Sequence, residues 1–175
     1  SGMVIHLPTL LSEIRTLKEM GVDIVDRLFI SSEAHIVFDY HREIDAALEQ
    51  RRSERKGQGL GTTRRGIGPA YMDKAGRQGI RMEHLGEDLR AELALRVEDL
   101  EQTFGVSADI EREMEQLKEA AALLRHRIVD TVDLLHTYLS EGKRIIIEGA
   151  QGALLDLDHG TYPYVTSSST TLPGA

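Results

Sequence analysis

Arg144-Ile145-Ile146-Ile147-Glu148-Gly149-Ala150-Gln151-Gly152 is the stretch on which the reading of the fold turns. Three consecutive β-branched isoleucines without polar alternation are the pattern of a strand covered on both faces, as in a parallel sheet lined by helices. Gly149 to Gly152 then follow at the C-terminal end of that strand, the end at which open α/β sheets bind ligands. Gln151 is a neutral amide that donates and accepts at once, which suits the edge of a purine base and equally suits the exposed tip of a tight turn. This is the one long strand in sight. The predicted class is therefore α/β, mostly helical, with one or two strands of a parallel sheet whose other strands lie outside the 175 residues.

Upstream the periodicity is helical. Ile110, Met114, Leu117, Ala121, Leu124, Ile128, Val132, Leu135 and Leu139 repeat at three-four spacing, which predicts one helix of roughly 45 Å at 1.5 Å per residue. Leu89, Leu93, Val97, Leu100 and Phe104 predict another over 87–104, stopped by Gly105. Nearer the start, the predictions are a helix over Thr9 to Met20, a short strand at Leu28 to Ser31, and a helix from Ile36 to about Arg55. The chain thus divides into a helix-strand-helix unit (3–56), a glycine/arginine loop (57–86), a helical layer (87–140), and a core strand with a nucleotide-binding loop (143–175).

Composition excludes some classes. Apolar residues at 41% and charged residues at 29% describe an ordinary globular domain. A net charge of −8 argues against nucleic-acid binding, which needs a basic face. There is no long apolar run for a membrane and no secretory pattern at the start. The chain has no cysteine, which fits a reducing cytoplasm and removes thiolate metal sites.

Gly61-Thr62-Thr63-Arg64-Arg65-Gly66-Ile67-Gly68 concentrates glycines, hydroxyls and guanidinium groups. Close backbone approach, hydroxyl and N–H donors and arginine forks are what an anion site needs, although a basic surface loop has the same composition. No Gly-Lys-Ser/Thr closes it, so it is not a Walker A loop. Tyr71, Lys74 and Arg77 follow at spacings that a helix would align; a solvated basic face reads the same way. Asp156, Asp158 and His159 contain metal-ligand chemistry in a spacing that fits no metal template, and read better as structural hydrogen bonding.

Gly66-Ile67-Gly68-Pro69-Ala70-Tyr71-Met72-Asp73-Lys74-Ala75-Gly76-Arg77, preceded by Gly61-Thr62-Thr63, resembles the signature of the adenylosuccinate synthetases. Glu148 to Gly152 and the run Leu155 to Ser168 are similar to a second stretch of the same family, in the same order. The resemblance spans essentially residues 3–171. It implies a central segment of a larger doubly wound synthetase fold and a GTP-dependent ligation of inosine monophosphate (IMP) and L-aspartate to adenylosuccinate, with Mg2+ as cofactor. Carried onto this sequence, it implies that Thr63 and Thr166 contact the IMP phosphate and that Gln151 contacts the base at its reacting 6-position. It also implies a homodimer in which Arg77 reaches the partner's nucleotide. Lys74 stands at the signature lysine, a functional contact or a structural salt bridge.

The sequence departs from the pattern too. The family's Gly-Asp-Glu-Gly-Lys-Gly type of loop is absent, and with it the general base, the magnesium ligand and the grip on GTP. Where the family reads Asn-Thr-Thr after Ser168, this chain has Ser169-Thr170-Thr171. The expectation is a chain that holds IMP-binding and dimer-bridging residues but does not catalyse alone. The rivals are a stand-alone IMP-binding module and a helical dimerisation module of the same ancestry.

Overall fold

The computed structural model describes residues 2–171; Ser1 and residues 172–175, the end of the segment expected over 143–175, lie outside the described residues. Strand β1 (Val4–His6) leads directly into helix α1 (Leu7–Glu19). Pro8 sits in the first turn, where its missing N–H costs nothing, and Leu7, Leu11 and Ile14 bury one side. After β2 (Ile30–Ser31), strand β3 (His35–Val37) pairs in parallel with β1, Val4 against His35 and His6 against Val37. The result is a small β-α-β unit.

The helical stripe places Ile36 and Val37 at the start of a helix. They are instead fully buried strand residues, because Ile36 donates its N–H to Ile80 and Met82 donates to Ala34 on the side away from β1. Helix α2 (Asp39–Lys56) begins two residues later and ends at Gly57 in the left-handed conformation. Within the expected loop 57–86 lies a real helix, α3 (Ile67–Gly76). Helix α4 (Arg90–Phe104) follows as anticipated and stops at Gly105, φ +68°.

The long helix expected over 110–139 is two helices. Helix α5 (Ile110–Leu124) gives way to a short 3-10 turn, strand β4 (Ile128–Val129), and helix α6 (Thr131–Ser140). Strand β4 pairs in parallel with β2, Ile30 against Ile128. Asp130 restarts the helix by accepting the N–H groups of Val132 and Asp133 at 2.8 and 3.2 Å. The two halves of the stripe also face different surroundings: Met114, Leu117 and Leu124 are buried, whereas Val132, Leu135 and Leu139 are exposed.

The isoleucine run is neither a strand nor buried. Ile146 is 92% exposed and Ile147 60%, and no described strand pairs with Arg144–Glu148. A parallel strand needs neighbours for its N–H and C=O groups, and the described residues supply none here. Among those residues no helix is long and apolar enough to cross a membrane.

The core joins α1, β3, α2, α4 and α5 through Leu7, Ile14, Ile36, Ile44, Leu93 and Leu117. Among the buried acids is Glu113. Glu113 of α5 accepts the N–H of Tyr40, in the first turn of α2, at 3.3 Å. Burial, with the negative charge of Asp39 second, pushes the Glu113 carboxyl up to about 7. A carboxyl raised on folding contributes most below its unfolded value of about 4.5 and loses that contribution as pH rises toward 7. Glu113→Gln keeps the acceptor and removes the charge. It should abolish that slope and exceed the parent at mildly alkaline pH by on the order of 1 to 3 kcal/mol, measured by denaturant unfolding at two pH values.

The exposed isoleucines generate a second expectation. An unpaired apolar segment invites edge-to-edge association. Ile146→Lys should reduce the concentration-dependent self-association of the chain, followed by sedimentation velocity, without lowering the melting temperature of the helices.

Candidate functional site at the start of α3

Asp45 and Glu49 stand one turn apart on α2, both buried, and both point at the glycine-rich loop. Glu49 Oε1 accepts the N–H of Gly61 at 2.6 Å, and Asp45 Oδ2 accepts that of Gly66 at 3.1 Å. Burial opposes the ionisation of Glu49, yet the N–H groups of Gly61, Leu60 and Thr62 hold its carboxyl below the ordinary range. Two glycines make this possible. A Cβ on Gly59 would stand 2.3 Å from Glu49 Oε1, and one on Gly66, φ +76°, would stand 2.8 Å from the backbone of His41 and Arg42. Among the described residues the Thr62 hydroxyl and Glu49 Oε2 are buried without a hydrogen-bond partner. Thr63 is exposed.

Helix α3 is pinned from below. His41 Nδ1 accepts the N–H of Phe38 at 2.9 Å, so its other nitrogen carries the proton and donates to Asp73 Oδ2 at 3.1 Å. Burial keeps His41 neutral, its pKa lowered despite the carboxylate beside it. Arg96 of α4 forks onto both oxygens of Asp73. Burial works against the Asp73 charge, but His41 and Arg96 hold the carboxyl below its usual value. One buried aspartate thus ties α3 to α2 and α4.

The second matched stretch closes on itself and then reaches α3. Thr166 donates its N–H to Leu155 at 2.9 Å and Leu157 donates to Ser168 at 3.3 Å. Asp156, between them, accepts from Asp158, His159, Ser169 and Thr170. Asp158 and His159 contribute backbone N–H groups there, so the Asp-His run is a hydrogen-bonded turn. Ser167 Oγ lies where a Cβ on Gly68 would be only 3.1 Å away. The Ser167 hydroxyl therefore meets the first turn of α3, a few residues after Thr63. Helix-start N–H groups, hydroxyls and arginines are the kinds of group that anion sites use, and the loop around the start of α3 contains all three.

The remaining candidates stand apart. Lys74 Nζ lies 5.8 Å from the centroid of the Tyr71 ring. Arg77 is the exposed C-cap of α3, at the far end of a ten-residue helix about 15 Å long. Gln151 is exposed and its side chain makes no hydrogen bond with the described residues. The backbone singles out two of these positions: Arg64, Arg77 and Gln151 are the non-glycine residues with positive φ among those described, at +52°, +60° and +68°. Such conformations cost on the order of 1 kcal/mol each and concentrate at functional sites.

Over its whole length, residues 1–175, the chain matches the family model described as adenylosuccinate synthetase. The chain belongs to the adenylosuccinate synthetase family. It is 46% identical over 177 residues to the adenylosuccinate synthetase of Schizosaccharomyces japonicus, covering 99% of this chain and 40% of that relative. It is 43% identical to that of Dictyostelium discoideum, covering 100% and 42%. Among solved structures, a fully ligated adenylosuccinate synthetase from Plasmodium falciparum matches with a TM-score of 0.90 and 41% identity, over 98% of this chain and 40% of that one. The chain thus spans about two fifths of the length of the relatives it matches. The mostly helical fold with short parallel sheets agrees with that neighbour.

Sequence reasoning overlooked Asp45, Glu49 and the anchoring role of Asp156. The available signal for the first two was an acidic pair at i, i+4 immediately after the apolar positions Ile44 and Leu48. Glu49→Ala removes the acceptor for Gly61 and should loosen the loop by about 1 to 3 kcal/mol. Faster tryptic cleavage at Arg64 and Arg65, with intact helical circular dichroism, is the expected readout, and Gly59→Ala should act in the same direction.

Proposed function

We propose that residues 61–68 and 166–168 form the 5′-phosphate end of an IMP site, in a chain that supplies part of an adenylosuccinate synthetase of purine biosynthesis. The observation that carries this reading is the meeting of the two matched stretches at the start of α3, where Ser167 abuts Gly68. In this site the hydroxyls of Thr63 and Thr166 donate to phosphate oxygens, beside the unpaired N–H groups of the helix start. Gln151 faces the base, its amide able to donate to the 6-oxygen and accept from the ring.

In the full reaction the γ-phosphoryl group of GTP passes to the 6-oxygen of IMP and GDP leaves. The amino nitrogen of aspartate then bonds to C6 and phosphate departs. The residues of this chain bind and orient the acceptor, and Gln151 stabilises charge that moves onto the 6-position. Among the described residues no group of three or more histidine, aspartate or glutamate side chains is arranged for a metal ion. Magnesium, which would neutralise phosphoryl charge, has no fitting donor set among the described residues. Proton transfer, GTP binding and aspartate binding are assigned to parts of the synthetase not included in these 175 residues.

Arg77 belongs to a second site. Its place at the opposite end of α3 from Thr63 takes it away from the phosphate cradle of its own chain, which favours a homodimer in which it reaches the nucleotide of the partner. Lys74, beside Tyr71, supports the helix. The cysteine-free sequence suits a reducing compartment such as the cytoplasm.

Titration calorimetry tests the site directly. IMP should bind and inosine should bind more weakly, since it lacks the phosphate. Thr63→Ala and Thr166→Val should each weaken IMP about tenfold while leaving inosine unchanged. A folded chain that gives no heat at millimolar IMP would refute the assignment, and adenylosuccinate formation by this chain alone would refute its incompleteness.

A further inference from the structure

Residues 141–171 have an unusual interior. Among them Asp156 is the single buried side chain, and every residue from 141 to 155 is exposed. A segment without buried apolar groups cannot be ordered by the hydrophobic effect, so its shape depends on polar contacts. Those contacts converge on one carboxylate. Oδ1 accepts the N–H groups of Asp158 and His159, each at 3.0 Å, and closes a local turn. Oδ2 accepts the Ser169 hydroxyl at 3.0 Å and the Thr170 N–H at 2.7 Å, and ties that turn to the far end of the loop.

We propose that Asp156 is the positioning residue of this loop, its buried carboxylate setting where Thr166 and Gln151 stand. The inference rests on the reading of the loop as one side of the IMP site. The links to both residues are short. Leu155, next to Asp156, accepts the N–H of Thr166 at 2.9 Å. Thr170, held by Oδ2, donates its own hydroxyl to the carbonyl of Gly152 at 3.1 Å, one residue beyond Gln151. Gln151 holds φ +68°, and a neighbouring tether of this kind keeps such a backbone in place.

The cradle accepts only an ionised carboxylate. The N–H of His159 foremost, with those of Thr170 and Asp158, holds the Asp156 carboxyl far below the usual range despite burial. All four principal partners are donors. An amide in the same space would turn its NH2 against the backbone N–H of Thr170, or against those of Asp158 and His159, leaving donors facing donors. Asp156→Asn is therefore close in shape and opposite in chemistry.

The test uses the 175-residue chain, IMP calorimetry and circular dichroism melting, on Asp156→Asn, Ser169→Ala, Thr166→Val and the double variant D156N/T166V. Asp156→Asn should weaken IMP about tenfold or more while the helical melting transition stays where it is. Ser169→Ala removes one donor and keeps the charge, and should weaken IMP to a smaller extent with the same melting behaviour. Because Asp156 acts through Thr166, the double variant should be no weaker than D156N alone. Three results would overturn the inference: IMP binding by D156N equal to the parent, losses from D156N and T166V that add in the double variant, or a melting transition that falls together with binding. A parent chain that does not bind IMP refutes the site assignment and takes this inference with it. Binding by the parent with unchanged binding by D156N refutes the inference alone.

Discussion

Glycine-rich backbone that approaches an anion has few side chains of its own to hold it, and in this chain buried carboxylates supply the restraint. Asp45 and Glu49 take the N–H groups of Gly66 and Gly61. Asp156 does the same for the loop that brings Thr166 and Ser167 to α3. Each carboxylate is an acceptor that cannot donate, so it fits a concave run of N–H groups. Without these anchors both loops would depend on a ligand for their shape.

That arrangement explains why the two parts of the chain are built so differently. Residues 4–140 contain an apolar core into which Asp73, His41 and Arg96 are set as a closed polar network. That network joins three helices through one carboxylate, which fixes α3 and hence the loop that leads into it. Residues 141–171 have no such core, and their exposed isoleucines and leucines face outward.

The elements legible in the sequence are those decided locally. Helices α1 and α4 follow from apolar spacing and from Gly21 and Gly105. The errors arise where tertiary pairing overrides local pattern. Ile36 and Val37 fit a helical stripe but are strand because β1 and residues 80–82 flank them. Ile128 fits the same kind of stripe, yet pairs with Ile30 and breaks the long helix in two. The run Ile145–Ile147 has every local mark of a strand and is not one, since strand character requires partners.

The site divides along the same line. Thr63, Gln151, Thr166 and Arg77 stand out by residue type and motif spacing, because hydroxyl, amide and guanidinium groups keep their donors wherever they lie. By itself the sequence determined the family and the kinds of donor and acceptor group that the two matched stretches carry. Only the tertiary structure decided which of them share a place: it put the Ser167 hydroxyl, next to Thr166, against Gly68 and left Arg77 at the other end of α3. It also decided which acids are buried anchors, because burial and donor geometry are properties of the packed chain.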